Sequence, residues 1–106
     1  MAAYTAFRDH AFPSYPKSCK FSDAGFELLQ LDTHIAGIAI SVINGRVRAC
    51  DVPELANLAD ELERLDGLLE SVTVESDQDT TTVREFREYG LLLSSLIREL
   101  RKLAFT

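Results

Sequence analysis

The chain has 106 residues, a length that predicts one domain with a modest core. Its apolar content of 46% and charged content of 26% are ordinary for a soluble globular protein. The net charge of −6 disfavours nucleic acid and anionic membrane surfaces as direct partners. We therefore expect a cytoplasmic protein with no direct nucleic-acid and no membrane partner.

Targeting signals are not expected. Residues 1–12 include three polar or charged side chains in a row and lack the apolar run of a signal peptide. The most apolar stretch, 35–43, is shorter than the roughly 20 residues that cross a bilayer. Cys19 and Cys50 are the only cysteines, which favours a reducing compartment. A bridge between these two cysteines stays an open alternative.

The first 21 residues differ in composition from the rest of the chain. They contain five aromatic residues, Tyr4, Phe7, Phe12, Tyr15 and Phe21. Pro13 and Pro16 oppose a long helix here. We predict an extended arm whose aromatic side chains pack on the protein's own helices, or else on a partner or a second copy.

A first long helix is predicted over residues 22–44. Its apolar stripe repeats at spacings of three and four residues and consists of Leu28, Leu31, Ile35, Ile38 and Val42. Ser22 is the expected N-cap, and Asn44-Gly45 the expected end, with Gly45 in the left-handed conformation. Apolar residues cover half the circumference or more, so we expect this helix to be central.

A β-hairpin is the alternative around Asn44-Gly45. This dipeptide favours a type I′ turn, and residues 38–50 are rich in β-branched side chains. The helical period, however, holds from Glu27 to Asn44. Because a period over a long window outweighs local propensity, we favour the helix.

Two further helices are predicted, over residues 52–72 and 82–104. The stripe of the first is Leu55, Leu58, Leu62, Leu65, Leu69 and Val72, and that of the second is Phe86, Tyr89, Leu93, Leu96, Leu100 and Leu103. Asp51 to Glu54 and Thr82 to Glu85 have the spacing of capping boxes. The polar, acidic segment 73–81 between them is predicted to be a mobile loop.

These elements predict an all-α fold. We expect a small antiparallel three-helix bundle over residues 22–106, preceded by the extended arm over 1–21. The alternative is an α+β fold in which a hairpin at Asn44-Gly45 precedes two helices.

Asp32 falls inside the apolar arc of the first long helix. A carboxylate in such a position needs a partner or must stay protonated. Arg101, at the edge of the apolar arc of the last helix, is the partner that we expect. The favoured interpretation is a structural ion pair.

Acidic residues are concentrated in the middle of the chain. Residues 51–72 carry a net charge of −6 and residues 73–82 of −3, whereas 1–50 carry +1 and 83–106 carry +2. Such a surface can attract a basic partner. The acidic partner-binding face is predicted to consist of Glu54, Asp60, Glu61, Glu63, Glu70, Glu75, Asp77 and Asp79.

No pattern of a catalytic, phosphate-binding or metal-binding site occurs in the sequence. The five glycines have none of the spacings of a phosphate-binding loop, and the histidines and cysteines are not at short ligand spacings. We therefore expect no enzymatic activity, no cofactor and no metal.

The excess of apolar surface over three short helices points to an interaction protein. We expect a non-enzymatic protein-binding module that self-associates, most simply as a homodimer, or binds another protein. The oligomer seam and arm are predicted to consist of Tyr4, Phe7, Phe12, Tyr15, Ile38 and Leu91. The alternative is an acidic, antitoxin- or immunity-like inhibitor that covers a basic surface with residues 52–81.

Overall fold

The computed structural model describes residues 2–13, 19–46 and 51–104 of the chain. Within these ranges it contains four α-helices and no strand. The helices are α1 (Ala2–Asp9), α2 (Ser22–Ile43), α3 (Asp51–Ser71) and α4 (Asp77–Ala104), and a 3-10 turn at Cys19–Phe21 leads into α2. The expected all-α class is confirmed.

The directions of the long helices follow from their polar contacts. His34 of α2 contacts Glu54 of α3, and Glu27 of α2 contacts Arg64 of α3. The earlier residue of α2 therefore pairs with the later residue of α3, so these two helices are antiparallel. On α2 and α4, Asp32 contacts Tyr89. Lys20, just before α2, contacts Asp79 near the start of α4, so these two helices run in the same sense.

The core lies among α2, α3 and α4. Eighteen apolar residues form one buried cluster, and it contains all five residues of the predicted α2 stripe. The predicted stripes of α3 and α4 also lie in it, except Val72, which is half-buried, and Leu103, which is exposed. Burial of these stripes is the main favourable contribution to folding.

α2 ends where the sequence predicts. Gly45 has a φ of +70°, and its N–H donates to the carbonyl of Val42 at 3.1 Å. The N–H of Arg46 donates to the carbonyl of Ser41 at 2.8 Å, which completes a Schellman motif. The α+β alternative is therefore wrong for residues 38–46, while 47–50 lie outside the described residues.

The start of α2 differs from the prediction. Phe21, rather than Ser22, occupies the N-cap position, and no side chain there makes a capping hydrogen bond. Phe21 is instead buried in the core at 1% exposure, which anchors the chain entering α2. The side chains of Cys19, Asp51 and Val52 lie outside the described residues, and so does Cys50. The predicted capping contact of Asp51 at the start of α3 therefore lies outside them as well.

The N-terminal segment is not extended throughout. Ala2–Asp9 form α1, so the expectation of an extended arm is wrong there. Pro13 lies beyond this segment, whereas three alanines favour helix within it. A helix of eight residues is marginal alone, and α1 packs on α4, where the Glu99 carboxylate accepts a hydrogen bond from the Tyr4 N–H at 3.1 Å.

α4 begins five residues earlier than predicted. The hydroxyl of Ser76 accepts a hydrogen bond from the Asp79 N–H at 3.1 Å, so Ser76, not Thr82, caps the helix. Thr82 lies inside α4, and its hydroxyl donates to the carbonyl of Gln78 at 3.0 Å. The predicted loop 73–81 is therefore helical from Asp77 onward.

α4, rather than α2, is the central helix, because α4 contacts α1, α2 and α3.

By length and composition α2 could also cross a membrane, since its mean hydropathy reaches 1.4. Core helices of soluble proteins pass the same test. Only 33% of that apolar window is buried, so α2 carries more apolar surface than this core covers.

Candidate interaction surfaces

The side of α2 that faces away from the core carries a second apolar stripe, which we call the outer stripe. It consists of Phe26, Leu29, Thr33, Ala36, Ile40 and Ile43. Successive members are three or four residues apart, as in a coiled-coil seam. Phe26 is 62% exposed, Ile40 55%, Leu29 46% and Ile43 43%. Half of the exposed large apolar residues in the described part of the chain therefore lie on one helix face.

The two borders of the outer stripe differ in charge. At about 100° per residue, Gln30, Gly37 and Asn44 lie along one border, whereas the other contains the half-buried Asp32, three residues after Leu29. The polar group within the stripe is also satisfied, because the Thr33 hydroxyl donates to the Leu29 carbonyl at 3.0 Å. The outer stripe itself carries no charged side chain, and the Asp32 carboxylate at its border accepts a hydrogen bond from Tyr89.

The residues predicted for the oligomer seam do not form this face. Ile38 is 3% exposed and belongs to the core, so its assignment to a seam with another chain is wrong. Tyr4, Phe7 and Phe12 are partly buried against the protein's own core. The Phe12 ring meets the ring of Tyr89 edge-on at 5.1 Å.

Two predicted seam residues remain. Leu91 is 66% exposed and lies between α3 and α4, far around the surface from the outer stripe. Tyr15 lies outside the described residues. Sequence reasoning missed Phe26, Leu29, Ile40 and Ile43, although successive residues of the outer stripe are three or four positions apart, which was a readable signal.

The predicted acidic residues do not share one face. On α3, Glu54 and Glu61 lie on the flank next to α2, where Glu54 contacts His34 at 3.3 Å. Glu61 binds Arg64 at 3.0 Å. Glu63 lies on the opposite flank and lines the groove next to α4.

The other acidic residues are also dispersed. At 100° per residue, Glu70 shares the flank of Glu63, whereas Asp60 points away from both neighbouring helices. Asp77 is exposed in the first turn of α4, and Glu75 contacts Lys20 at 3.5 Å. The acidic segment is therefore divided among several surfaces.

Asp79 does not belong to any exposed acidic face, because it is 6% exposed. Its carboxylate lies 2.6 Å from the Lys20 ammonium and accepts a hydrogen bond from the Glu75 N–H at 3.2 Å. The hydrogen bond from Lys20 is the main reason why the pKa of Asp79 lies below its usual value, although burial opposes this shift. The same contact raises the pKa of Lys20. This pair joins the start of α2 to the start of α4.

Asp32 has a partner, but it is not Arg101. The Tyr89 hydroxyl of α4 donates a hydrogen bond to the Asp32 carboxylate. Burial first, and the neighbouring carboxylate second, raise the pKa of Tyr89 above its usual value. Asp32 is half-buried, so the predicted ion pair is replaced by a charge-assisted hydrogen bond at the edge of the core.

A groove of about 600 Å³ runs between α3 and α4. Its walls include Asp66 and Glu63 from α3 and Arg98, Arg101 and Lys102 from α4. Arg101, the expected partner of Asp32, therefore lies here instead. This groove had no counterpart in the sequence reasoning, because it depends on how the two helices meet.

Groups of ionisable residues suited to metal binding are absent from the described part of the chain. Comparison with models of known protein families, with curated proteins and with solved structures finds no match to this chain.

Proposed function

We propose that this chain is a non-enzymatic protein-interaction module that forms a homodimer through the outer stripe of α2. The observation that carries the proposal is the exposure of four large apolar side chains at coiled-coil spacing on one face of a well-formed helix. Exposed apolar patches of this regularity mark interaction sites in soluble proteins.

The distribution of side-chain size supports a second copy as the occupant. Large residues occupy both ends of the stripe, Phe26 and Leu29 at one end and Ile40 and Ile43 at the other. The residues in the middle of the stripe are small. Ala36 lies there, and a Cβ added at the adjacent Gly37 would meet nothing within 4 Å. Antiparallel pairing about the middle places the large end of one copy against the large end of the other. Such self-complementarity is what a two-fold dimer requires.

Charge is also compatible with this pairing. A chain with a net charge of −6 repels its copy at long range. The outer stripe itself carries no charge over about 26 Å of helix, from Phe26 to Ile43, and the carboxylate at its border, Asp32, is half-buried and hydrogen-bonded to Tyr89. Two such stripes can therefore meet with no charged side chain directly between them.

The experiment is sedimentation equilibrium over a concentration series, on the wild type and two matched variants. Ile40→Glu places a charge at one of the two large ends of the outer stripe, and Leu68→Glu makes the same kind of change at a residue of α3 that is 50% exposed and off the stripe. We expect the wild type and Leu68→Glu to approach twice the chain mass of 11.8 kDa, and Ile40→Glu to remain at that mass. Circular dichroism confirms that all three are helical.

Two results would overturn the proposal. One is a wild type that stays monomeric at every concentration, and the other is an Ile40→Glu variant that dimerises like the wild type.

An inhibitor role remains a second proposal, supported by Glu63 and Glu70 on one flank of α3, neither of which makes an ion pair with a described residue. Charge reversal at both would remove binding to a basic partner and leave the dimer intact.

A further inference from the structure

We propose that the groove between α3 and α4 binds an amphipathic anion with a single alkyl chain, of the long-chain carboxylate class. The inference is independent of the dimer, because the groove and the outer stripe lie on different helix surfaces. The alkyl chain would lie along the groove, with its carboxylate beside Arg98, Arg101 and Lys102.

The groove exists because small residues line it. Ala59 on α3 and Gly90 and Ser94 on α4 leave the space between the two helices unfilled. A Cβ added at Gly90 would meet nothing within 4 Å. The groove reaches down to Leu28 of α2, so it is a true cleft between two helices with the third as part of its floor.

Its size and floor suit an alkyl chain. The volume of about 600 Å³ lies within the range of small-molecule sites, roughly 300–1,000 Å³. The floor is apolar and includes Leu62, Leu69, Phe86 and Ile97. An alkyl chain placed there would lose contact with water without burying an unsatisfied polar group.

The charges distinguish the two ends of the groove. At one end, Arg87 binds Asp66, with Nε and Oδ1 2.8 Å apart, so this cation is already neutralised. At the other end, Arg98, Arg101 and Lys102 are exposed and make no ion pair with any residue that the structure describes. Three cations within five residues would concentrate positive potential at one place.

The distance between these ends defines the ligand. Arg98 comes eleven positions after Arg87, which corresponds to about 16 Å along α4. An apolar cleft of that length with uncompensated cations at one end matches a molecule with one anionic head and one extended tail. A neutral alcohol of the same length would lack the charge-assisted contacts.

The test is calorimetric titration with dodecanoate below its micellar concentration, with dodecanol as the neutral probe. We expect saturable binding of dodecanoate and binding of dodecanol that is at least about tenfold weaker. The double variant Arg98→Gln, Arg101→Gln should weaken dodecanoate binding by about tenfold or more. Arg84→Gln removes an exposed cation of α4 that does not line the groove, and it should bind like the wild type.

A second variant separates loss of binding from loss of folding. Gly90→Leu would place a side chain in the cleft and replace glycine by a good helix former. We expect it to melt no lower than the wild type and to lose dodecanoate binding. Ile40→Glu, which changes only the outer stripe, should bind dodecanoate normally whether or not the chain dimerises.

Three outcomes would overturn the inference. They are the absence of saturable dodecanoate binding, equal affinity for dodecanoate and dodecanol, and full binding by Gly90→Leu. Loss of binding in Ile40→Glu with retention in Gly90→Leu would place the alkyl chain on α2 and reject the groove. None of these outcomes bears on the dimer, which the mass measurement decides separately.

Discussion

The two faces of α2 contain the same kinds of residue in different surroundings. Ile38 on the inner face is 3% exposed, whereas Ile40, two residues later on the outer face, is 55% exposed. Both faces repeat apolar residues at spacings of three and four. The inner face is buried against α3 and α4, whereas the four large apolar side chains of the outer face are 43–62% exposed. An apolar seam therefore marks a helix face that can be buried, but it does not show whether the residues that bury it belong to the same chain.

The largest expected effect is a contrast in stability between these two isoleucines. Ile38→Ala should lower the free energy of unfolding by about 2–5 kcal/mol, because it leaves a cavity in the core. Ile40→Ala should change it by less than about 0.5 kcal/mol, because its side chain is mostly exposed in one chain. Urea titration at a concentration at which both variants are monomeric measures the contrast. Equal losses of unfolding free energy in the two variants would show that the inner and outer faces do not differ in how deeply they are buried.

A smaller effect is expected at Asp32, a carboxylate at the edge of the inner face. Tyr89→Phe removes the hydrogen bond to Asp32 and should cost about 1.5–3 kcal/mol, since the acceptor is charged. A double-mutant cycle with Asp32→Asn isolates the pair from the other contacts of each residue. A coupling energy near zero would mean that Asp32 is adequately solvated without Tyr89. That result would show that the hydrogen bond between Tyr89 and Asp32 does not stabilise the fold.

The smallest expected effect is a change in the free energy of unfolding at low pH. It distinguishes a charged pair that stabilises the fold from the interface of the proposed dimer. Because the folded pKa of Asp79 is lowered, its contribution to stability is present above the unfolded value near 3.8 and is lost as the pH falls through the folded pKa. The difference in unfolding free energy between the wild type and Asp79→Asn should therefore shrink below about pH 3.8.

The outer stripe carries no titratable side chain, so dimer affinity should stay constant between about pH 5 and 8. Sedimentation at several pH values checks this expectation. A marked change of affinity in that range would place a group that titrates there in the dimer interface and contradict the assignment of the interface to the outer stripe.

Local patterns can be ambiguous even where they are real. Thr82 to Glu85 and Ser76 to Asp79 both have the spacing of a helix N-terminus, six residues apart. The earlier one starts α4, because Asp79 is then positioned to bind Lys20 from the turn before α2. This contact spans 59 residues of sequence, and no local spacing contains it.

The N-terminal arm illustrates a related limit. The prolines indicate where a helix cannot continue, but they do not describe the residues before them. Ala2–Asp9 become helical beside α4, where Glu99 supplies an acceptor for a free backbone N–H. The aromatic residues Tyr4, Phe7 and Phe12 pack on the core, which is the simpler of the two interpretations that the sequence allowed.

The sequence by itself determined the all-α class, the inner stripes of three long helices and the end of α2 at Gly45. Each depends on periodicity or on a backbone conformation that one residue type favours, and both are local properties. Only the tertiary structure decided that Ile38 is inside and Ile40 outside, that Asp79 is buried on Lys20, and that small residues open a groove between α3 and α4. These features depend on which helix faces meet, and that is set by the packing of all the stripes together.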